Sequence, residues 1–429
     1  MEPILTRNIV KGNGPTMLEA YEANGGYSGF RKALTMAPED ILKIISDSKL
    51  RGRGGAGFPT GFKWSAVIPI EQSGLPRYFC CNFDEMEPGT FKDRYLVESD
   101  PHQLIEGMLI ASYTCRCNIG YIFIRDEYRR PIKLLRKAIA EAAGKGYTGK
   151  NIQGSGWDYE LYIHVSAGRY MCGEETGLLN ALEGKRANPR SKPPYPQTSG
   201  LWGRPTVVQN VETLCCVPHI IERGAEWFVS LGKARDSGVK IYGASGRVNN
   251  PGCWELPMGT TMRELIEEHA GGMQKGYSYR AALTGGASTM FLDASQMDVP
   301  MDFDTLKALG LALGTGTAIV LDDKTCPVAM CRNLEMFYAR ESCGWCTPCR
   351  EGLPWVEQIL ESIEQGHGAP GDIELLIDQA KYIGPNTYCA LATGAMFPLE
   401  SALTKFREDF DEHIRSHKCP YSEGRILNF

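Results

Sequence analysis

The sequence predicts an α/β protein in three parts: a parallel sheet with covering helices, a small α+β domain, and a helical domain. Three observations carry this. Between residues 77 and 165, short apolar runs and helical patterns alternate as strand–helix–strand–helix–strand, the order of a parallel sheet. From Val239 the texture changes to closely spaced strands and turns around one helix. From Met330 to about Ile414 only helical patterns and turns remain. The 429 residues agree with this division, since roughly 150 residues per domain allows about three domains.

The elements follow in order. Pro38 to Leu50 reads as a helix, and Arg51-Gly-Arg-Gly-Gly-Ala-Gly-Phe-Pro-Thr-Gly61 as a loop. Arg77 to Cys81 is a short buried strand that runs into the acidic turn Asn82–Gly89. Asp100-Pro101 starts a helix reaching about Cys117, because Asp caps a helix and Pro suits its first position. Tyr121–Ile124 is the next strand, Ile132–Ala143 the next helix and Tyr159–Val165 the third strand. Ligands of such sheets bind beyond the carboxyl ends of the strands, here Asn82–Glu87 and Ala167–Glu175. A Pro-rich loop, Asn188–Pro205, precedes helical patterns to about Leu231. The α+β part is built from strands at Lys240–Ala244 and Cys253–Leu256, with the turn Asn249–Gly252 between them. A helix at Thr261–Ala270 and apolar runs near Ala281 and at Ala318–Leu321 complete it.

Composition sets limits on function. Hydrophobic residues at 43% and charged residues at 23% describe an ordinary globular chain and exclude disordered, collagen-like and coiled-coil classes. The net charge of −5 speaks against nucleic acid as the main partner. No apolar run approaches the ~18 residues of a membrane span, and residues 1–14 lack a secretory leader. A soluble, cytoplasmic protein is expected. Fifteen cysteines are too many to ignore. A reducing compartment favours metal ligation, reactive thiols or small buried hydrophobes over disulfides. Cys80, Cys81, Cys115, Cys117, Cys215 and Cys216 lie in apolar segments and suit the last use.

Three motifs stand out. Cys343-Gly-Trp-Cys346-Thr-Pro-Cys349 is a C-x2-C-x2-C run, and three thiolates so spaced can hold one face of a [4Fe–4S] cluster. Zinc more usually takes two separated pairs, and unligated thiols at a helix end are the plain alternative. A fourth ligand has to come from elsewhere: Cys389, Cys419, Cys326 and Cys331 are the candidates. Cys389, in a turn of the same helical part, is preferred. The glycine loop matches G-x-G-x-x-G at Gly52, Gly54 and Gly57, but a helix precedes it rather than the strand of a dinucleotide-binding loop. Its amides suit a phosphate or flat ring, with Arg51, Arg53 and Lys63 supplying charge; a surface loop is the plain reading. Tyr170-Met-Cys-Gly-Glu-Glu-Thr-Gly177 leads from the third strand into a helix. There Glu174 and Glu175 serve either an anionic ligand's site or the helix itself as first-turn acids. G-x-S-x-G and H-E-x-x-H are absent, which removes the commonest hydrolase readings.

Taken together, Glu341–Gly352, Ala167–Gly177 and Arg51–Lys63 resemble the signatures of one family, in its order and over nearly the whole chain. It is the NADH-binding flavoprotein subunit of NADH:quinone oxidoreductase, respiratory complex I. The resemblance implies a Rossmann-like domain over 1–236, a ubiquitin-like (β-grasp) domain over 237–326 and a helical bundle with the cluster over 327–429. It implies FMN bordered by Gly52, Gly54, Lys63, Asn82, Asp84, Glu85, Gly173, Glu174, Asn210 and Thr213. It places NADH on Phe58, Glu87, Tyr170, Glu175, Lys192 and Tyr195, with Glu175 the residue that positions the nicotinamide or ribose. The cluster ligands are Cys343, Cys346, Cys349 and Cys389.

Two departures from the family pattern occur. Gln209 replaces a usual Asn, which leaves a contact from Gln209 to FMN open, and Ser166 replaces a usual Gly, which suits negative φ and is strained at positive φ. The implied partners are NADH, a [2Fe–2S] subunit and a larger Fe–S subunit of the peripheral arm. Membrane attachment comes only through other subunits, at the inner face of the cell membrane. Two alternatives share some of these features: the diaphorase subunit of a soluble NAD-linked hydrogenase or formate dehydrogenase, and a zinc-stapled, non-catalytic scaffold.

Overall fold

The protein is known from a computed structural model that describes residues 2–10, 12–67 and 76–421. Residues 422–429, which close the expected helical domain, lie outside the described residues. The chain forms two compact units. The first comprises Met1–Met86, Phe91–Ile241 and Cys253–Gly259, the second Glu87–Thr90, Tyr242–Gly252 and Thr260–Phe429.

The first unit holds a parallel sheet of β1 (Tyr78–Phe83), β2 (Ile119–Arg125), β3 (Glu160–Ser166) and β4 (Thr206–Asn210), in the order β3-β2-β1-β4. The three expected strands are present, shifted by one or two residues at their ends. β4 is an addition to them. It is a five-residue strand set between a Pro-rich loop and a helix, too short to show a period of its own. Its position matters, because β1, β2 and β3 run outward in one direction while β4 returns to the far side of β1. The topology therefore reverses between β1 and β4, where a crevice opens at the carboxyl ends of the strands. Asn82 and Asn210 are register partners on the two sides of that point.

The core forms as the sequence suggests. Asp100 caps the helix Pro101–Thr114 by accepting from Gln103 N at 3.3 Å, and every residue of that helix except Tyr113 is buried. It packs against the helix Val211–Arg223 so closely that a Cβ on Gly107 would lie 2.1 Å from the Leu214 carbonyl oxygen. Only glycine permits that approach. The paired cysteines 80, 81, 115, 117, 215 and 216 are all buried, as small hydrophobes are.

A second sheet combines β5 (Val239–Ser245), β6 (Gly252–Pro257), β7 (Tyr279–Leu283), β8 (Phe291–Asp293) and β9 (Thr317–Asp322) in the order β6-β5-β9-β7-β8. β9 runs parallel to β5 and antiparallel to β7. The helix expected at Thr261–Ala270 is π-helical over Glu264–His269, and β8 and the helix Phe303–Ala308 are additions. From Pro327 the described residues are helical, as expected: Pro327–Glu341, Thr347–Glu364, Asp372–Ile383, Ala390–Lys405 and Arg407–Ser416. Leu353, Val356, Leu360 and Ile363 give the helix Thr347–Glu364 a buried stripe at helical spacing. No helix among the described residues is long and apolar enough to cross a membrane.

Candidate functional site

The crevice beside β1 and β4 gathers most of the residues singled out above. The glycine loop closes on itself through Gly52 N to Phe58 O (2.8 Å) and a bridge between Arg51 and Pro59. It is anchored to the start of the helix Val211–Arg223, because Arg53 N donates to Thr213 Oγ1 at 2.8 Å. Beneath it, a Cβ on Gly54 would meet Asn210 Cβ at 3.1 Å, closer than an ordinary contact. That bare, exposed backbone fits a flat or phosphate-bearing group.

The charge of the loop differs from expectation. Arg51 pairs with Asp236 at 3.0 Å and donates to Gly57 O, while the wholly buried Arg53 donates to Ser237 O at 2.9 Å. Both guanidinium groups are used to hold the loop. The cation left facing the crevice is Lys63, whose Nζ lies 3.1 Å from Glu175 Oε2 and donates to Val208 O.

Along the end of β1 each polar group has its own duty. Asn82 donates to Gly173 O at 2.8 Å and receives Asp84 N, which ties the acidic turn to the Tyr170–Gly173 turn. Asp84 Oδ1 accepts from Ser166 Oγ at 2.9 Å. Ser166 lies in β3 at negative φ, so the serine is unstrained. Glu85 is turned inward: its carboxylate accepts from Asp93 N, Arg94 N and the Tyr128 hydroxyl. Burial, with Asp93 adding to it, raises its pKa to about 7. Its side chain therefore caps the helix Lys92–Ser99, and its backbone carbonyl accepts from Arg125 at 2.7 Å. Asn210 caps the helix Val211–Arg223 and donates to Asp93 Oδ2 at 2.6 Å. The amide of Gln209 donates to Thr60 Oγ1 at 3.3 Å.

The Glu174–Glu175 pair splits its functions in the same way. Glu174 Oε2 receives Thr176 N and Gly177 N at 2.7 and 2.8 Å, a helix cap. Its other oxygen lies 3.2 Å from Lys192, and Glu175 bridges two lysines, Lys63 at 3.1 Å and the same Lys192 at 2.7 Å. Burial works to raise the Glu175 pKa, but the two ammonium groups outweigh it and hold the carboxyl below its ordinary value. Phe58 and Tyr195, expected to stack on a dinucleotide, are 47% and 55% exposed. Glu87 belongs to the second unit, where its carboxylate accepts from Ser288 N and Oγ at 2.6 and 2.7 Å.

Asp93 carries no mark in the sequence. It anchors Asn210 and pairs with Lys92, whose buried ammonium also meets Glu212 at 2.9 Å; Glu212 in turn pairs with Lys240. Nothing local distinguishes these residues, because their partners come from three separate segments.

In the second unit, Cys346 precedes the helix Thr347–Glu364 and Cys349 lies in its first turn. Ser342 Oγ is 3.1 Å from Cys349 Sγ, and Tyr388 N donates to Cys346 Sγ at 3.4 Å. That last bond brings the segment of Cys389 to the C-x2-C-x2-C run. Burial raises the Cys349 thiol pKa, and Cys343 and Cys346 add to the effect. Crowded thiolates of this kind suit a site where a metal centre supplies the opposing charge. Of the other candidates, Cys331 is buried within the helix Pro327–Glu341, while Cys326 and Cys419 meet one another elsewhere, beside Glu364 and His413.

Comparison with known proteins finds three family models along the chain. Residues 45–219 match the Nuo51 FMN-binding domain, 329–413 the NADH-ubiquinone oxidoreductase-F iron-sulfur binding region, and 243–292 the SLBB domain. The chain is 52% identical to the NADH-quinone oxidoreductase F subunit of Salmonella typhimurium, over 99% of this chain and 95% of that one. It is 50% identical to the NADH-quinone oxidoreductase F subunit 2 of Rhizobium meliloti, over 98% and 99% of the two chains. Among solved structures, an NAD+-reducing [NiFe]-hydrogenase in the H2-reduced state superposes with a TM-score of 0.84 at 33% identity, over 98% of this chain and 67% of that one. The air-oxidised state gives 0.79 at 34% identity, over 89% of this chain and 63% of the hydrogenase chain.

Proposed function

The chain belongs to the family of NADH-quinone oxidoreductase F subunits, and from that premise we propose how its own residues carry the family's work. It is the electron-input subunit of a multi-subunit oxidoreductase: NADH is oxidised, with FMN and a [4Fe–4S] cluster as cofactors. Bound FMN supplies the chemistry that neither partner has, accepting two electrons together and releasing them one at a time. The protein's share is binding, orientation and electrostatics.

In this reading the glycine loop presents Gly52 and Gly54 to the flavin, with Lys63, Asn82, Asp84, the backbone of Glu85, Gly173, Glu174, Asn210 and Thr213 around it. Gln209, hydrogen-bonded to Thr60, stands with the residues that border the flavin. Phe58 and Tyr195 hold the dinucleotide by stacking, Tyr170, Lys192 and Glu87 line its path, and Glu175 positions the nicotinamide or ribose by hydrogen bonding. No side chain has to act as nucleophile or general base. Cys343, Cys346, Cys349 and Cys389 ligate the cluster. Residues 1–236 form the FMN- and NADH-binding domain, 237–326 a ubiquitin-like domain and 327–429 the cluster-bearing bundle. The partners are a [2Fe–2S] subunit and a larger Fe–S subunit of the peripheral arm, on the cytoplasmic face, with other subunits reaching the membrane.

The observation that carries the reading is the ion cluster Lys63–Glu175–Lys192 beside a bare glycine backbone, at the point where the sheet reverses direction. The hydrogenase-type alternative has less support, with 33–34% identity against 52% for the quinone-linked relative. An anaerobic absorbance spectrum tests the reading: flavin bands over a broad iron–sulfur background, bleaching when NADH is added. A flavin that ignores NADH but yields to dithionite would remove NADH as donor.

A further inference from the structure

Away from the C-x2-C-x2-C run, the second unit brings four metal-ligand side chains together. Cys326, Glu364, His413 and Cys419 each offer one ligand atom, and these atoms all lie within 4.8 Å of one another. Cys326 precedes the helix Pro327–Glu341, Glu364 ends the helix Thr347–Glu364, His413 lies on the helix Arg407–Ser416, and Cys419 follows it. We propose that this tetrad is a structural zinc site, separate from the iron–sulfur cluster.

The geometry carries the proposal. Cys326 Sγ lies 3.2 Å from Glu364 Oε2 and 3.3 Å from His413 Nε2, and Nε2 lies 3.2 Å from Oε2. With Zn–S near 2.3 Å and Zn–N or Zn–O near 2.1 Å, the edges of a tetrahedron run from about 3.4 to 3.8 Å. The three separations fall just short of that range, so slight expansion admits the ion at the centre. His413 is also oriented as a ligand. Its Nδ1 is 2.6 Å from the Asp409 carbonyl oxygen and donates there, which leaves the Nε2 lone pair for a metal.

The donor set selects the ion. Two thiolates with an imidazole and a carboxylate favour zinc over magnesium or calcium, which prefer all-oxygen sites. All four residues are buried, and four protein ligands leave no position for water or substrate, as in closed structural sites. Binding releases the two thiol protons and involves no change of oxidation state. The ion would tie the segment after the last helix to the ends of two others.

The test is elemental analysis of the full chain purified with its cofactors. About one zinc per chain is expected, beside the cluster iron, and Cys389→Ser should leave the zinc while Cys419→Ser and His413→Ala lower it at least about tenfold. Zinc that survives Cys419→Ser and His413→Ala but disappears with Cys389→Ser would place the ion in the iron–sulfur site and overturn the proposal. Should those variants not fold, the wild-type chain can be stripped with a chelator and offered cobalt. Intense thiolate-to-cobalt absorption with tetrahedral visible bands supports the site, and no uptake of cobalt or zinc overturns it.

Discussion

Adjacent carboxylates in this protein do different work, and the difference lies in what each one touches. Glu174 gives one oxygen to two backbone N–H groups of the helix it opens and the other to Lys192, while Glu175, one residue on, sits between Lys63 and Lys192. Because both lysines lower its pKa, Glu175 stays ionised through the neutral range and can accept hydrogen bonds throughout. Glu175→Ala should weaken NADH binding by about 10- to 100-fold, the usual worth of a hydrogen bond to a charged group. FMN content should remain near normal. Loss of FMN from a stably folded variant would count against the positioning role. The sequence names both glutamates but leaves open which is the cap. Helix-first-turn acids and ligand-binding acids look the same until their partners are known.

Helices and strands around the site are held by groups that lie far away in sequence. Glu85 caps the helix Lys92–Ser99 from a buried position, and its pKa is raised from the ordinary 4.5 to about 7. The native state therefore holds that proton more tightly than the unfolded chain. As pH rises from about 4.5 to about 7 the unfolded chain ionises first, so this group lowers stability by up to about 3 kcal/mol across that window and no further above it. Glu85→Gln carries no such titration, and its urea midpoint should show a shallower decline between those pH values; parallel curves for the two proteins would refute the assignment. Gly107 sets a second limit. With a Cβ only 2.1 Å from the Leu214 carbonyl, Gly107→Ala should force apart the helices Pro101–Thr114 and Val211–Arg223, costing about 3 kcal/mol or more in chemical denaturation. Sequence periodicity finds both helices but not their separation. It misses β4 altogether, because a buried five-residue strand running into a helix has no alternation to read.

For the whole molecule, the reading separates hydride input from onward electron transfer. Cys349→Ser should lose most of its cluster iron and yet still bleach its flavin with NADH, measured by iron content and anaerobic absorbance. A folded Cys349→Ser protein whose flavin no longer responds to NADH would reverse the assigned order of electron flow.

By itself, the sequence determined the class of fold, the covering helices, three of the four parallel strands and the cysteine run, along with the family that these motifs resemble. Periodicity, caps and ligand spacing are local properties, and local properties survive in a one-dimensional string. Only the tertiary structure decided which charges face the crevice. It turned Arg51 and Arg53 onto Asp236 and Ser237 and left Lys63 for Glu175. It also set β4 beside β1 to make the reversal point, and drew Cys326, Glu364, His413 and Cys419 into one cluster. Each of these depends on contacts between residues tens to more than a hundred positions apart. Such contacts are specified by packing and desolvation over the whole chain, so no short window of residues contains them.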